Sequence, residues 1–175
     1  MGSDAKSKAR VGVIMGSDSD YPVMSEAGRM LEKFGIAFEI EVVSAHRSPA
    51  RAAEYAETAA KRGLKVIIVG AGGAAHLAGV VAALTTLPVV GVPMAATSLN
   101  GMDSLLATVQ MPGGVPVGTM AIGKAGATNA GIFAAQILGT SDARIARALA
   151  DYKKELATSV AEKSQRLKRE LIGEK

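Results

Sequence analysis

Two histidines and the polar loops around them are where this chain can do chemistry. His46 lies in Ser44-Ala45-His46-Arg47-Ser48-Pro49, beside an arginine. An imidazole changes charge near neutral pH and can move a proton. Arg47 can hold a phosphate through a planar fork of donors. The same pair also reads as a capped turn next to a solvated cation, and an isolated His-Arg pair does not decide between the two. His76 closes a second stretch, Gly70-Ala71-Gly72-Gly73-Ala74-Ala75-His76-Leu77. Glycine removes the Cβ that would keep a small, flat or charged ligand group away from backbone. His76 itself reads equally as a ligand contact or as a packed, hydrogen-bonded side chain. A third stretch, Gly16-Ser17-Asp18-Ser19-Asp20, sets two hydroxyls, two carboxylates and turn amides just ahead of a helix start. Free amides and the helix dipole favour an anion such as phosphate there, and Asp20 can accept hydrogen bonds from a ribose diol. Ser and Asp also build ordinary capping turns.

Other chemistries fit poorly. The Gly70–Ala75 run formally matches G-x-G-x-x-G/A, but it follows the third strand and no acidic residue stands about 20 positions later, so it is a poor dinucleotide fingerprint. Gly118–Ala125 is a near miss for a triphosphate loop, with Ala125 where Ser or Thr should hold magnesium. With no cysteine there is no disulfide framework, thiolate metal site or thiol nucleophile. The two histidines make no recognised metal spacing, and no G-x-S-x-G elbow is present. Aromatic residues are 3% and Trp is absent, which argues against stacking platforms for single-stranded nucleic acid. The net charge of +4 gathers in basic residues at both ends, without a recognition motif, and reads as solvated faces. No apolar signal core opens the sequence, and no apolar run reaches the ~20 residues of a membrane span. The expected location is the cytoplasm.

The elements that must position these loops alternate between buried strands and amphipathic helices. Strands are expected at 11–15, 37–43, 65–69, 88–92 and 117–122. Helices are expected at about 21–34, 50–62, 77–84, a short one through Leu105, Leu106 and Val109, and 128–138. In the first helix Met24, Ala27, Leu31 and Phe34 recur at helical spacing; in the second, Ala52, Ala56 and Ala59 allow close packing. The last helix begins at the capping candidates Ser141 and Asp142. Its apolar stripe, Ile145, Leu149, Tyr152, Leu156, Val160, Leu167 and Leu171, continues beyond what one small domain needs to cover, so part of it should pack on a neighbouring subunit.

Hydrophobic residues make up 49% of 175 residues, enough for one domain. Residues 1–10 read as a disordered tail, 11–140 as the catalytic domain, and 141–175 as a C-terminal helix of the same domain. Five strands alternating with helices give an α/β, three-layer fold with a parallel sheet covered on both faces. The expected strand order is the flavodoxin-like 2-1-3-4-5, which brings loops 16–20, 44–49 and 70–77 to one crevice at the carboxyl ends of the strands.

Taken together these residues resemble class I N5-carboxyaminoimidazole ribonucleotide mutase, a family of de novo purine biosynthesis. The matching segments are Met15–Asp20, Val43–Arg47, Gly70–Leu77, Asp103–Leu106, Val109–Gly113 and Ala121–Gly123 with Asn129-Ala130. The resemblance implies a flavodoxin-like subunit in a homo-octamer and a cofactor-free reaction. In it the carboxylate on the exocyclic nitrogen of the substrate moves to C4 of the imidazole ring. His46 matches the catalytic histidine. Ser17, Asp20, Ser44 and Arg47 match positions that hold phosphate and ribose. Ala71, Gly72, His76 and Leu77 belong to the loop around the migrating carboxylate. Loop 109–114 matches one that closes the site of a neighbouring subunit. Ser48 stands where Thr is commonest, and Ala78 where the family usually has Pro. The residues permit the chemistry in their own right: one imidazole can act as acid and then base, and glycine-rich backbone can enclose CO2 and exclude water. Two other readings remain, a direct CO2-dependent aminoimidazole ribonucleotide carboxylase and a non-catalytic phospho-ligand-binding module.

Overall fold

The computed structural model describes residues 8–171. The short runs of β-branched and apolar residues form strands β1 (Val11–Met15), β2 (Phe38–Val42), β3 (Val66–Gly72), β4 (Val89–Met94) and β5 (Gly118–Thr119). Helices α1 (Tyr21–Lys33), α2 (Pro49–Arg62), α3 (Leu77–Leu84), α4 (Met102–Val109), α5 (Lys124–Gly139) and α6 (Ala143–Leu171) connect and follow them. All pairings are parallel, in the order β2-β1-β3-β4-β5 expected from the sequence. Register aligns the strand ends: Met15 stands between Val42 and Gly70, so the three loops that follow leave the sheet side by side.

Strand alternation divides the core. Val11, Val13, Met15, Val66, Ile68, Val90, Val92 and Met94 face α1, α5 and the start of α6. Ile14, Ile67, Val69 and Val89 face α2 and α3. The first helix buries the stripe read from its spacing, Met24, Ala27, Leu31 and Phe34. Each fully buried Val, Ile or Leu contributes about 1.5–3 kcal/mol, so these two clusters, rather than surface ion pairs, hold the sheet that carries the loops. On the edge strand, Glu39 and Glu41 pair with Arg62 and Arg51 of α2; partly exposed pairs of this kind are worth less than about 1 kcal/mol each.

Besides shifts of one or two residues at other element ends, four boundaries differ from the sequence reading. Residues 1–7 of the expected tail lie outside the described residues. Arg10, at its end, is anchored: its amide donates to the Ala37 carbonyl, its carbonyl accepts from Lys65, and its guanidinium pairs with Asp142 at 2.7 Å. β3 continues to Gly72, three residues past its expected end at Val69, because β4 pairs with it as far as Gly72. β5 is shorter than 117–122; as an edge strand it has one neighbour, and beyond Thr119 only separate bonds from the Met120 and Gly123 amides to Gly91 and Pro93 persist. α5 starts at Lys124 rather than 128, since Gly126, read as a turn residue, packs against Ala121 backbone where a side chain would not fit. Asp142 caps α6, accepting from the Arg144 and Ile145 amides at 3.1 and 3.3 Å.

Along α6 burial declines. Ile145 is fully buried and Leu149 and Tyr152 pack on the core, whereas Leu156, Val160, Leu167 and Leu171 are exposed. Among the described residues no helix is long and apolar enough to cross a membrane.

Candidate active site

A cavity of about 400 Å³ opens at the carboxyl ends of β1, β2 and β3, lined by Gly16, Ser17, Ser19, Asp20, Ser44, His46, Arg47, Gly72, Gly73, Ala96 and Thr97. Four stretches meet there, each placed by the strand before it.

The stretch after β1 is a single 3-10 turn, Asp18–Asp20, leading into α1. Ser17 ties it, its hydroxyl accepting from the Ser19 amide at 3.3 Å and from the Ser19 hydroxyl at 2.8 Å. Asp20 is nearly buried, 7% exposed. Burial pushes its carboxyl above the ordinary range and Asp18 adds to this, while a backbone bond at Ser17 opposes. A carboxylate kept from water and facing a cavity is poised to accept ligand hydroxyls.

The stretch after β2 is tied more firmly. Ser48 Oγ accepts from the Ser44 amide and donates to the Ser44 carbonyl, both at 3.1 Å. Ser44 Oγ accepts from the Arg47 amide at 3.1 Å. The two hydroxyls close the loop on itself, and Pro49 starts α2 directly after it. The Arg47 guanidinium reaches across to donate to the Gly16 carbonyl at 3.0 Å, which sets its remaining donors beside the Ser17–Asp20 turn.

The stretch after β3 brings the second histidine. His46 Nε2 and His76 Nδ1 are 2.8 Å apart, with the rings edge to face. One nitrogen donates and the other accepts, so the pair shares one proton between the facing atoms and each ring keeps its other nitrogen open. Gly70 and Gly72 permit the close approach of this strand end. A Cβ on Gly70 would stand 2.6 Å from Met24 Sδ, and one on Gly72 would stand 2.7 Å from Ala96 Cβ.

Of the residues singled out in the sequence, Ser17, Asp20, Ser44, His46, Arg47 and Gly72 line the cavity together. His76 reaches it through His46. Ala71 and Leu77 do not line it. Because β3 runs on to Gly72, alternation turns Ala71 into the core beneath α2 and α3, and Leu77, at the start of α3, packs into the same cluster. Gly16, Ser19 and Gly73, which also line the cavity, belong to the stretches singled out in the sequence; Ala96 and Thr97 lie outside them. The loop after β4 had a usable signal, since β4 adjoins β3 and its carboxyl end must open on the same edge. Loop 109–114 lies elsewhere: Met111 packs near Gly79 of α3, and Gly114 lines a separate recess with Thr85–Val90, at the amino end of β4.

The family model for AIR carboxylase matches residues 10–159. A Thermotoga maritima protein named N5-carboxyaminoimidazole ribonucleotide mutase is 59% identical over 166 residues, covering 95% of either chain. A Bacillus subtilis protein of the same name is 57% identical, over 90% of this chain and 97% of that one. Among solved structures, Treponema denticola PurE superposes with a TM-score of 0.81 at 27% identity, covering 91% of this chain and 98% of that one.

Proposed function

The chain belongs to the AIR carboxylase family, and from that premise we propose that it is an N5-carboxyaminoimidazole ribonucleotide mutase with His46 as the catalytic acid and base. The observation that carries the assignment is the tied loop holding His46 against His76 over a cavity furnished for a phosphoribosyl group.

Arg47 and the Ser17–Ser19 hydroxyls take the phosphate, with Arg47 already oriented by the Gly16 carbonyl. Asp20 accepts from the ribose hydroxyls. His46 gives a proton to the exocyclic nitrogen, the nitrogen–carbon bond breaks, and CO2 is left beside the Gly72–Gly73 backbone. C4 of the electron-rich ring then attacks CO2, a carbon–carbon bond forms, and His46 removes the C4 proton to restore the aromatic ring. Atoms and charge balance within one substrate, so the residues need move only protons. The His76 bond keeps one nitrogen of His46 occupied and the ring fixed, leaving the other for the transfers, each worth ~10²–10⁴-fold in rate.

We further propose that the protein works as a homo-oligomer, an octamer by analogy with the resemblance, in the cytoplasm. What supports oligomerisation is the unpartnered stripe Leu156, Val160, Leu167 and Leu171 on α6. Loop 109–114 also supports it, because Gly114 stands at the amino end of β4, away from this chain's own cavity. Analytical ultracentrifugation of the protein and of Leu167→Glu tests this; a monomeric wild type refutes it.

The functional test is an ultraviolet assay. Purified protein is mixed with the N-carboxylated substrate, without bicarbonate or ATP, and formation of the C4-carboxylated isomer is followed against His46→Asn. His46-dependent product supports the mutase. Product that forms only from aminoimidazole ribonucleotide and CO2 favours the carboxylase. Binding without turnover favours a phospho-ligand module.

A further inference from the structure

The fourth wall of the cavity, residues 95–101 after β4, is held differently from the others. Its residues 95–100 are exposed, and Asn100 and Gly101 both adopt positive φ, 51° and 88°. Asn100 is the only non-glycine among the described residues to do so, and such a conformation persists only where the surroundings hold it. The hold comes from α4. Ser104, fully buried, shares its one hydroxyl proton between the Met94 and Gly101 carbonyls, at 2.7 and 3.0 Å, so a single three-centre bond spans both ends of the loop. Asp103 Oδ2 accepts from the Thr97 hydroxyl at 2.6 Å, fixing the part that faces the cavity.

The direction of that bond decides what Thr97 presents. The bond from Thr97 holds the Asp103 carboxyl below the ordinary carboxylate range, so near neutral pH Asp103 is an acceptor only and Thr97 must donate. The Leu99 amide donates to the same Thr97 oxygen at 3.2 Å. With the hydroxyl engaged from both sides, the Thr97 methyl is the atom nearest a Cβ placed on Gly73, at 3.6 Å. Ala96 sits against Gly72 in the same way. The loop is thus an apolar cover on the Gly72–Gly73 backbone, pinned there by one charge-assisted hydrogen bond.

We propose that Asp103 is a positioning residue for the reaction: by tethering Thr97 it holds the Ala96–Thr97 wall over Gly72 and Gly73, and so keeps the detached CO2 in place until the ring recaptures it. This rests on the mutase reading given above. A loosened wall does not alter the proton transfers. It adds a competing outcome in which CO2 leaves and aminoimidazole ribonucleotide remains, the exocyclic nitrogen keeping the proton received from His46.

The experiment is a single-turnover reaction with substrate carrying ¹³C in its carboxylate, in excess unlabelled bicarbonate, quenched before uncatalysed decay contributes. It reads label retained in the C4-carboxylated product and the yield of aminoimidazole ribonucleotide. Wild type retains the label. Thr97→Val, which keeps the shape and removes the donor, and Asp103→Ala both lose label and release aminoimidazole ribonucleotide several-fold more, with KM nearly unchanged. Thr97→Ser keeps the tether and loses only the covering methyl, so it retains more label than Thr97→Val, and Asp103→Asn, a neutral acceptor, falls between Asp103→Ala and wild type. The double variant Thr97→Val with Asp103→Ala is no worse than either single one, because both remove the same bond. Thr97 is exposed, so Thr97→Val reads the tether even where Asp103→Ala folds poorly. Full retention in Thr97→Val and Asp103→Ala, or a Thr97→Ser as leaky as Thr97→Val, overturns the proposal while leaving the mutase standing. A wild type that itself exchanges its label overturns the mutase reading and this proposal with it.

Discussion

Two loops face each other across the cavity, and they are secured in opposite ways. Residues 44–48 are tied to themselves: Ser44 and Ser48 exchange backbone and hydroxyl hydrogen bonds within five residues, and α2 begins at once. Residues 95–101 have few such ties and depend on Ser104 and Asp103 of the following helix. The first arrangement suits a group that must be aimed, since a misplacement of about 1 Å can cost ~10²-fold. The second suits a wall that must close over a ligand and let it go. Aim and enclosure are thereby assigned to different loops.

The contrast can be broken from either side. The largest effect is expected on the aimed side: His46→Asn keeps substrate binding and loses ~10²–10⁴-fold in turnover, measured as kcat beside a binding titration, and near-normal turnover removes His46 from its role. Ser48→Ala cuts both hydroxyl ties to Ser44, leaving the backbone one, and should lower kcat by up to about 100-fold without label loss; reduced retention instead would show that this loop also encloses. Arg47→Ala, on the binding side of the same loop, should chiefly raise KM, by about tenfold for an exposed charge-assisted contact, and an unchanged KM contradicts the phosphate assignment.

Smaller effects concern stability. Burial raises the folded-state pKa of Asp20 above its unfolded value. Its favourable contribution is therefore fully present in acid, below the unfolded carboxylate range, and is lost as pH rises through the raised folded value. Asp20→Asn should then be more stable than wild type near neutral pH, with the gap closing in acid, as read from denaturant midpoints at several pH values; a gap that widens in acid refutes the sign. The smallest effect is expected far from the cavity. The Tyr55 hydroxyl is buried beneath Gly12, with the Glu39 carboxylate beside it but outside hydrogen-bonding geometry. Tyr55→Phe should change stability by about 1 kcal/mol or less, in the stabilising direction, and a larger loss would mean that the hydroxyl is bonded in solution.

The contrast also marks where sequence reasoning succeeds. Strand order and the convergence of loops 16–20 and 44–49 were legible because alternating buried strands and helices leave few topologies, and because Ser, Asp and Pro announce turns and helix starts locally. The His46–His76 contact was not legible: the residues are 30 apart, and only the register of β1 between β2 and β3 brings them together. The glycine-rich stretch misled for a physical reason. Glycines read as a loop, but Gly70 and Gly72 stay in the sheet because they let Met24 and Ala96 press against it, and that extension buried Ala71. Ala96 and Thr97 went unnoticed because neither residue type suggests chemistry; their importance comes from Asp103, whose partner no periodicity identifies.

One carboxyl group is proposed to move within one substrate molecule under the control of His46. The most direct measurement is the fate of the ¹³C carboxylate in wild type and in His46→Asn, in a single turnover against excess unlabelled bicarbonate. Wild type should deliver nearly all of the label to C4, whereas His46→Asn should bind the substrate and, in the time of one wild-type turnover, deliver at most about 1% of it. Wild-type product that carries carbon from the bicarbonate would contradict that transfer and make the protein a carboxylase.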